Sequence, residues 1–215
     1  DISAACAGFI FAMNIVEGFF KAGIYKTALI IGAETLSKVT DWSDRGTCVL
    51  FGDGAGAAVL KAEETGIIDM MMGADGTKGD VLACTSRTVG NFLTGTKPEL
   101  GFMTMDGQEV FKFAVRKVPE SVMELLQRTG TKKEDIKYYV LHQANERIIE
   151  AAARRLKEPM EEFPMTISQF GNTSTASIPL LLDDMIRKDM LKKGDKIIMS
   201  GFGAGMTWGA VLMEW

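Results

Sequence analysis

Two stretches of this 215-residue chain are built to one plan. Ala4 to Glu34 runs from small residues through an apolar helical pattern to Gly23, then a short apolar run and Gly32. Thr173 to Gly203 does the same: small residues, an apolar helical pattern, Gly194, a short apolar run and Gly201. Glycine turns echo each other as well. Phe51-Gly52-Asp53-Gly54-Ala55-Gly56 leads into Ala57-Ala58-Val59-Leu60, and Phe202-Gly203-Ala204-Gly205 leads, a little later, into Gly209-Ala210-Val211-Leu212. A helix–strand unit cannot bury its apolar face alone, so two copies of it in one chain imply an α/β fold with a pseudo-two-fold axis. That symmetry sets Cys6 and the Asn172-Thr173-Ser174 segment at equivalent helix starts. Helix starts that converge on the axis share one site.

The pattern between the copies predicts further elements. Helices are expected over 6–22, 108–129, 144–156 and 175–191, the second with a broad apolar face from Val110 to Leu126 and with Pro119 as a candidate kink. Strands are expected at Thr27–Ile31, Thr47–Phe51, Ala57–Leu60, 66–73, Tyr138–Leu141, Lys196–Ser200 and Thr207–Met213, with Thr47–Phe51 and Ala57–Leu60 meeting at the Gly52–Gly56 turn. Residues 36–46 read as a polar loop. Residues 74–104 hold five glycines and little periodicity, and a loop of that length is expected to be functional or to cover a site.

Composition narrows the class. A hydrophobic content of 47% allows a substantial core, and a net charge of −4 gives no bulk attraction for nucleic acid. Three widely spaced cysteines, Cys6, Cys48 and Cys84, with no C-x-x-C, predict a reduced intracellular chain without a disulfide framework or zinc site. Apolar runs are broken by Glu17, Lys21 or Asp183, so no membrane-spanning segment and no signal segment is expected. The chain starts without methionine, within a few residues of a candidate site, which reads as the later part of a longer protein.

Few residues here can carry chemistry. Cys6 lies among Ala4, Ala5, Ala7 and Gly8, at the start of a helix. The free N–H groups and positive dipole end there favour a thiolate, and small neighbours leave room for a substrate. Taken locally, a buried apolar cysteine is the better reading. His142, the single histidine, follows the strand ending at Leu141 and precedes Gln143-Ala144-Asn145, where α/β proteins build sites; a lone core or surface histidine is the other reading. Asn172, within Gly171-Asn172-Thr173-Ser174, is by itself a turn or helix cap. Gly201 to Gly205 is either a set of backbone donors for an oxyanion or a tight corner. It matches neither the phosphate-binding nor the dinucleotide-binding fingerprint, and neither does Gly52 to Gly56.

Five segments taken together resemble a known family. They are Ala-Ala-Cys-Ala-Gly-Phe at 4–9, Phe-Gly-Asp-Gly-Ala-Gly-Ala-Ala at 51–58, His-Gln-Ala-Asn at 142–145, Gly-Asn-Thr-Ser at 171–174 and Gly-Phe-Gly-Ala-Gly-Met-Thr-Trp-Gly at 201–209. In this order they resemble β-ketoacyl-acyl-carrier-protein synthase III, the thiolase-fold condensing enzyme that starts bacterial fatty-acid synthesis. The resemblance implies a layered αβαβα fold whose first half is incomplete here, with 1–65 as the remainder of the half carrying Cys6 and 66–215 as the half carrying His142 and Asn172. It implies that Cys6 takes an acyl group, commonly acetyl, from acyl-CoA. His142 and Asn172 then stabilise the enolate formed when malonyl-acyl-carrier protein loses CO2, and the backbone N–H groups of Cys6 and Ala204 form the oxyanion hole. Arg45, Gln108, Asn145 and Phe202 are implied for CoA and pantetheine binding, and Lys112 and Arg147 for docking the acidic carrier protein. No cofactor or metal is implied, and a cytoplasmic homodimer is.

Three positions depart from the family pattern: Gln108 stands where asparagine is usual, Ala204 where glycine is usual, and Met206 where phenylalanine or leucine is usual. One histidine separates the chain from elongating condensing enzymes, which use two. A C-terminal glycine turn free of cysteine separates it from thiolases. Cys6 itself argues against a non-catalytic subunit of the same fold.

Overall fold

The structure is a computed structural model that describes residues 1–84, 90–97 and 101–215. In chain order its main elements are α1 (Gly8–Lys21), β1 (Thr27–Glu34), β2 (Gly54–Lys61), β3 (Ile67–Ala74), β4 (Leu82–Cys84), β5 (Met103–Met105), α2 (Gly107–Thr129), β6 (Ile136–Leu141), α3 (Glu146–Leu156), α4 (Ile167–Phe170), α5 (Ser177–Arg187), β7 (Lys196–Gly203) and β8 (Thr207–Glu214). Short 3-10 turns at Ala5–Ala7 and Ser174–Ala176 lead into α1 and α5.

The repeat is now visible element by element. A 3-10 turn, a helix and a strand start at Ala5, Gly8 and Thr27, and the same three start at Ser174, Ser177 and Lys196 with unchanged spacing between them. β1 pairs antiparallel with β2, and β7 pairs antiparallel with β8, in the same order within each copy. β3 and β6 extend only the second sheet, whose order is β3-β8-β7-β6 with β6 parallel to β7.

Alternation along the central strands explains the layering. Ile197, Met199, Val211 and Val140 point into a core shared with Phe9, Ile10 and Met13 of α1 and Ile178, Leu181 and Met185 of α5. Ile198, Phe202, Leu212 and Tyr139 point the other way, against Phe113, Val122 and Leu125 of α2 and Ile149 and Ala152 of α3. A sheet covered on both faces needs both kinds of position apolar, hence the nearly continuous apolar run of Lys196–Gly203. Each large side chain buried this way contributes roughly 1.5–3 kcal/mol. The described layers run β–α–β–α, and the outer face of the β1–β2 sheet leaves Leu29, Ile31 and Val59 exposed.

Element ends follow local chemistry. α1 closes at Gly23, which takes a φ of 69° while its N–H bonds to Phe20 O and the next N–H to Phe19 O. α2 is capped by Asp106, whose carboxylate accepts from the N–H groups of Gln108 and Glu109. Pro119 lies within this continuous helix. No described helix is long and apolar enough to cross a membrane.

Some expected elements shift. Thr47–Phe51, expected as a strand, is a run of turns closed by bonds such as Leu50 N to Thr47 O, with only Phe51 bridging in parallel to Asn172. Its apolar residues suit a strand, but Asp44 Oδ2 binds the Thr47 hydroxyl and draws the chain into turns instead. The helix expected over 6–22 begins at Gly8, because Ala5–Ala7 form a 3-10 turn. The one expected over 175–191 is shorter, Ser177–Arg187, and Asn145 caps α3 rather than lying inside it. The expected loop at 74–104 contains the 3-10 turn Gly76–Val81 and the hairpin strands β4 and β5, while 85–89 and 98–100 lie outside the described residues.

Candidate functional site

The two symmetric turns form the centre of the site. Ala5, just before Cys6, has φ 45°, and Ser174, just before Thr175, has φ 49°. A left-handed backbone is costly for a residue with a Cβ, so both turns are strained at corresponding places. They sit against each other: the Thr175 hydroxyl donates to Ala5 O at 2.6 Å. The strand of each copy closes on the turn of the other region. A Cβ on Gly203 would come within 2.7 Å of Cys6 N, and one on Gly32 within 2.8 Å of Thr175 O. Glycine there lets strand backbone reach turn backbone.

Cys6 is buried, with its side chain on a cavity of about 330 Å³. The cavity wall includes Ala204, Ser174, Glu34, Leu36 and Phe51, and also Leu82, Cys84 and Met103 of the 74–104 segment. The described part of that segment therefore helps to wall the Cys6 cavity. A larger cavity of about 850 Å³, lined by residues such as Phe20, Leu60 and Trp215, contains none of the candidate site residues.

The resting state of the thiol departs from the sequence expectation. Burial pushes the Cys6 thiol up to about 11; a hydrogen bond with the Ser174 side chain pulls it down in part, and the Glu34 carboxylate adds to the rise. A helix start favours a thiolate, but loss of hydration outweighs it here. Cys6 is thus a protonated thiol at neutral pH.

His142 follows the carboxyl end of β6, where its N–H bonds to Ser200 O at 2.8 Å. Its ring is buried, packs edge-on against Phe202 with centroids 5.5 Å apart, and holds Ser177 Oγ at Nδ1, 2.6 Å away. Burial lowers its pKa to about 3, so it is neutral at physiological pH. Gln143 braces the turn from both sides, donating to Leu141 O and accepting from Thr166 N.

Asn172 is fixed through its backbone, donating to Leu50 O and accepting from Gly52 N at 2.9 Å each. Its Oδ1 accepts from Ser174 N at 2.9 Å, so the side-chain amide N–H groups remain to be offered. The segment 172–177 thereby links the three candidates: Asn172 holds the Ser174 turn, Ser174 meets Cys6, and Ser177 meets His142. Ala204 shares the Cys6 cavity, whereas His142 and Asn172 do not line it.

The remaining candidates lie apart from that cavity. Arg45 and Gln108 are exposed, Asn145 uses its Oδ1 to cap Arg147 N, and Phe202 is buried under His142. Lys112 pairs with Glu109 at 2.8 Å, and Arg147 is exposed on α3. Met206, one of the departures from the family pattern, is buried in the core between the β3-β8-β7-β6 sheet and α2. Sequence reasoning missed Thr175, Ser177 and Glu34. The repeat could have found Thr175, which takes the place of Cys6 in the second copy.

Two α/β copies that meet through strained helix-start turns, one of them bearing a cysteine, define a thiolase-like protein. Comparison with known proteins gives the finer answer. Residues 1–76 match the family 3-oxoacyl-[acyl-carrier-protein (ACP)] synthase III, and residues 126–215 match its C-terminal region. The β-ketoacyl-[acyl-carrier-protein] synthase III proteins of Clostridium novyi and Clostridium acetobutylicum are 52% and 49% identical, each match covering all of this chain and 67% of the relative. The crystal structure of 3-oxoacyl-[acyl-carrier-protein] synthase III from Aquifex aeolicus superposes with a TM-score of 0.91 at 44% identity, over the whole chain and 66% of that structure. Its Pseudomonas aeruginosa counterpart gives 0.94 at 38%, over the whole chain and 67% of that structure. The chain belongs to the β-ketoacyl-[acyl-carrier-protein] synthase III family, the condensing acyltransferases that initiate fatty-acid synthesis. It spans about two-thirds of the length of the relatives it matches.

Proposed function

We propose that Cys6 is the acyl-accepting nucleophile of this condensing enzyme, with His142 and Asn172 serving the malonyl half-reaction. The observation that carries this is the Cys6 turn: a strained, glycine-clamped backbone that holds one thiol against a cavity it shares with Ala204.

In the first half-reaction the Cys6 sulfur attacks the thioester carbonyl of acyl-CoA, its proton ends on the departing CoA thiol, and an acyl-Cys6 thioester remains. In the second, malonyl-acyl-carrier protein loses CO2. The electron pair moves onto the thioester carbonyl oxygen, where His142 and Asn172 donate hydrogen bonds. A neutral His142 suits this role, since it donates without surrendering a proton. The enolate carbon attacks acyl-Cys6, the N–H groups of Cys6 and Ala204 take the oxyanion, and collapse expels the Cys6 sulfur. The expelled Cys6 thiolate takes a proton from solvent, and its raised pKa favours that return to the thiol.

The remaining candidates keep their proposed roles: Arg45, Gln108, Asn145 and Phe202 toward CoA and pantetheine, Lys112 and Arg147 toward the carrier protein. The partition into 1–65 and 66–215 follows the repeat, and a cytoplasmic homodimer completes the reading. The test is intact mass after incubation with acetyl-CoA and longer or branched acyl-CoAs. An acyl adduct is expected, absent in Cys6→Ala. His142→Ala and Asn172→Ala should still acylate but fail to condense. An acyl adduct that persists in Cys6→Ala, or normal condensation by the other two variants, overturns these assignments.

A further inference from the structure

The hydroxyl of Ser177 is the side-chain partner of His142 that the reaction above does not use. It lies 2.6 Å from Nδ1 and also 3.3 Å from the Gln143 backbone N, and all three residues are buried. Hydrogen-bond accounting fixes the direction. The Gln143 N–H can only donate, so it fills a lone pair of Ser177 Oγ. The hydroxyl proton then needs an acceptor, and Nδ1 is the one within reach among the described residues. If instead Nδ1 carried a proton and donated it, the serine proton would be buried without an acceptor, which is costly. Which ring nitrogen of a histidine bears the proton is set by the bond made at the other.

Symmetry makes the serine stand out. Its counterpart at the start of the first helix is Gly8, where a Cβ would press to 2.8 Å on Thr175 Oγ1. The two helices thus start with different residues, and the hydroxyl occurs only on the one beside His142.

We propose that Ser177 is a positioning residue: by donating to Nδ1 it holds His142 as the Nε2–H tautomer and aims that N–H at the substrate carbonyl. This deepens the proposed condensation chemistry and rests on it. Ser177 touches no substrate, so acyl transfer to Cys6 does not depend on it.

The experiment joins a spectrum to two rates. Nitrogen-15 labelling of histidine in the protein reports the tautomer of His142, with His142→Gln identifying the signal. The unmodified protein should show its proton on Nε2. Ser177→Ala should lose that single tautomer and condense about 10-fold more slowly or worse, as when other hydrogen-bond partners of an oriented imidazole are removed. Its acylation by acetyl-CoA, read by intact mass, should be unchanged, and Ser177→Thr should restore condensation. A proton on Nδ1 in the unmodified protein overturns the proposal. So does a Ser177→Ala protein with unaltered tautomer and condensation, or one whose acylation falls in step with condensation. The spectrum needs no turnover, so it decides the tautomer even if the protein proved inactive, an outcome that would count against the condensation reading instead.

Discussion

A protonated Cys6 can be tested directly by titration. With the thiol pushed up to about 11, ~1 in 10^4 molecules carries a thiolate at pH 7, about 100-fold fewer than for a thiol at the ordinary 9.0. Alkylation needs the thiolate, so the rate constant for iodoacetamide at Cys6 should rise about tenfold per pH unit from 7 to 10 without levelling. Intact mass at timed intervals, with Cys6→Ala as the blank for Cys48 and Cys84, measures it. Two variants set the sign of each contribution. Glu34→Gln removes a carboxylate that raises the thiol and should speed alkylation at pH 8; Ser174→Ala removes a hydrogen bond that lowers it and should slow alkylation. A rate that levels off below about pH 8.5 would mean a preformed thiolate, with the helix start outweighing burial, and would refute the reasoning.

Two further outcomes follow from the same site. His142 is neutral in the fold, with its pKa lowered to about 3, so between about 6.5 and 3 the unfolded chain binds more protons. Stability should therefore fall as pH drops through that window, by on the order of 1 kcal/mol per pH unit. His142→Gln should lose that part of the slope in urea titrations at pH 7, 5.5 and 4, and parallel slopes would contradict it. Gly203→Ala adds a Cβ 2.7 Å from Cys6 N and should cost about 1–3 kcal/mol while slowing acylation, measured by thermal unfolding and intact mass; an unchanged acylation rate would show that the turn tolerates displacement.

Periodicity revealed the architecture because both faces of the second sheet are buried and its strands are almost wholly apolar. The repeat of glycine and helix starts gave the symmetry, and the unchanged spacing of turn, helix and strand keeps the two copies in register through the turns that matter. Thr47–Phe51 misled because its apolar residues resemble a strand while Asp44 organises them as turns. The thiol state of Cys6 was not legible: a helix start is local and visible in sequence, whereas burial comes from β7, Ser174 and the 74–104 segment, all far away in the chain. Ser177 was invisible for the same reason, since its meaning depends on His142, 35 residues earlier.

Thr175 holds the seat that symmetry gives to Cys6, but its hydroxyl donates to Ala5 O and ties down the backbone next to the Cys6 thiol. Two identical subunits meeting on a true axis would have to present the same residue twice. Joining both copies in one polypeptide frees them to diverge, so that one copy bears the thiol while the other becomes its mechanical support. Replacing Thr175 by cysteine would restore equality between the seats and remove that support, and a less reactive Cys6 is the consequence to look for.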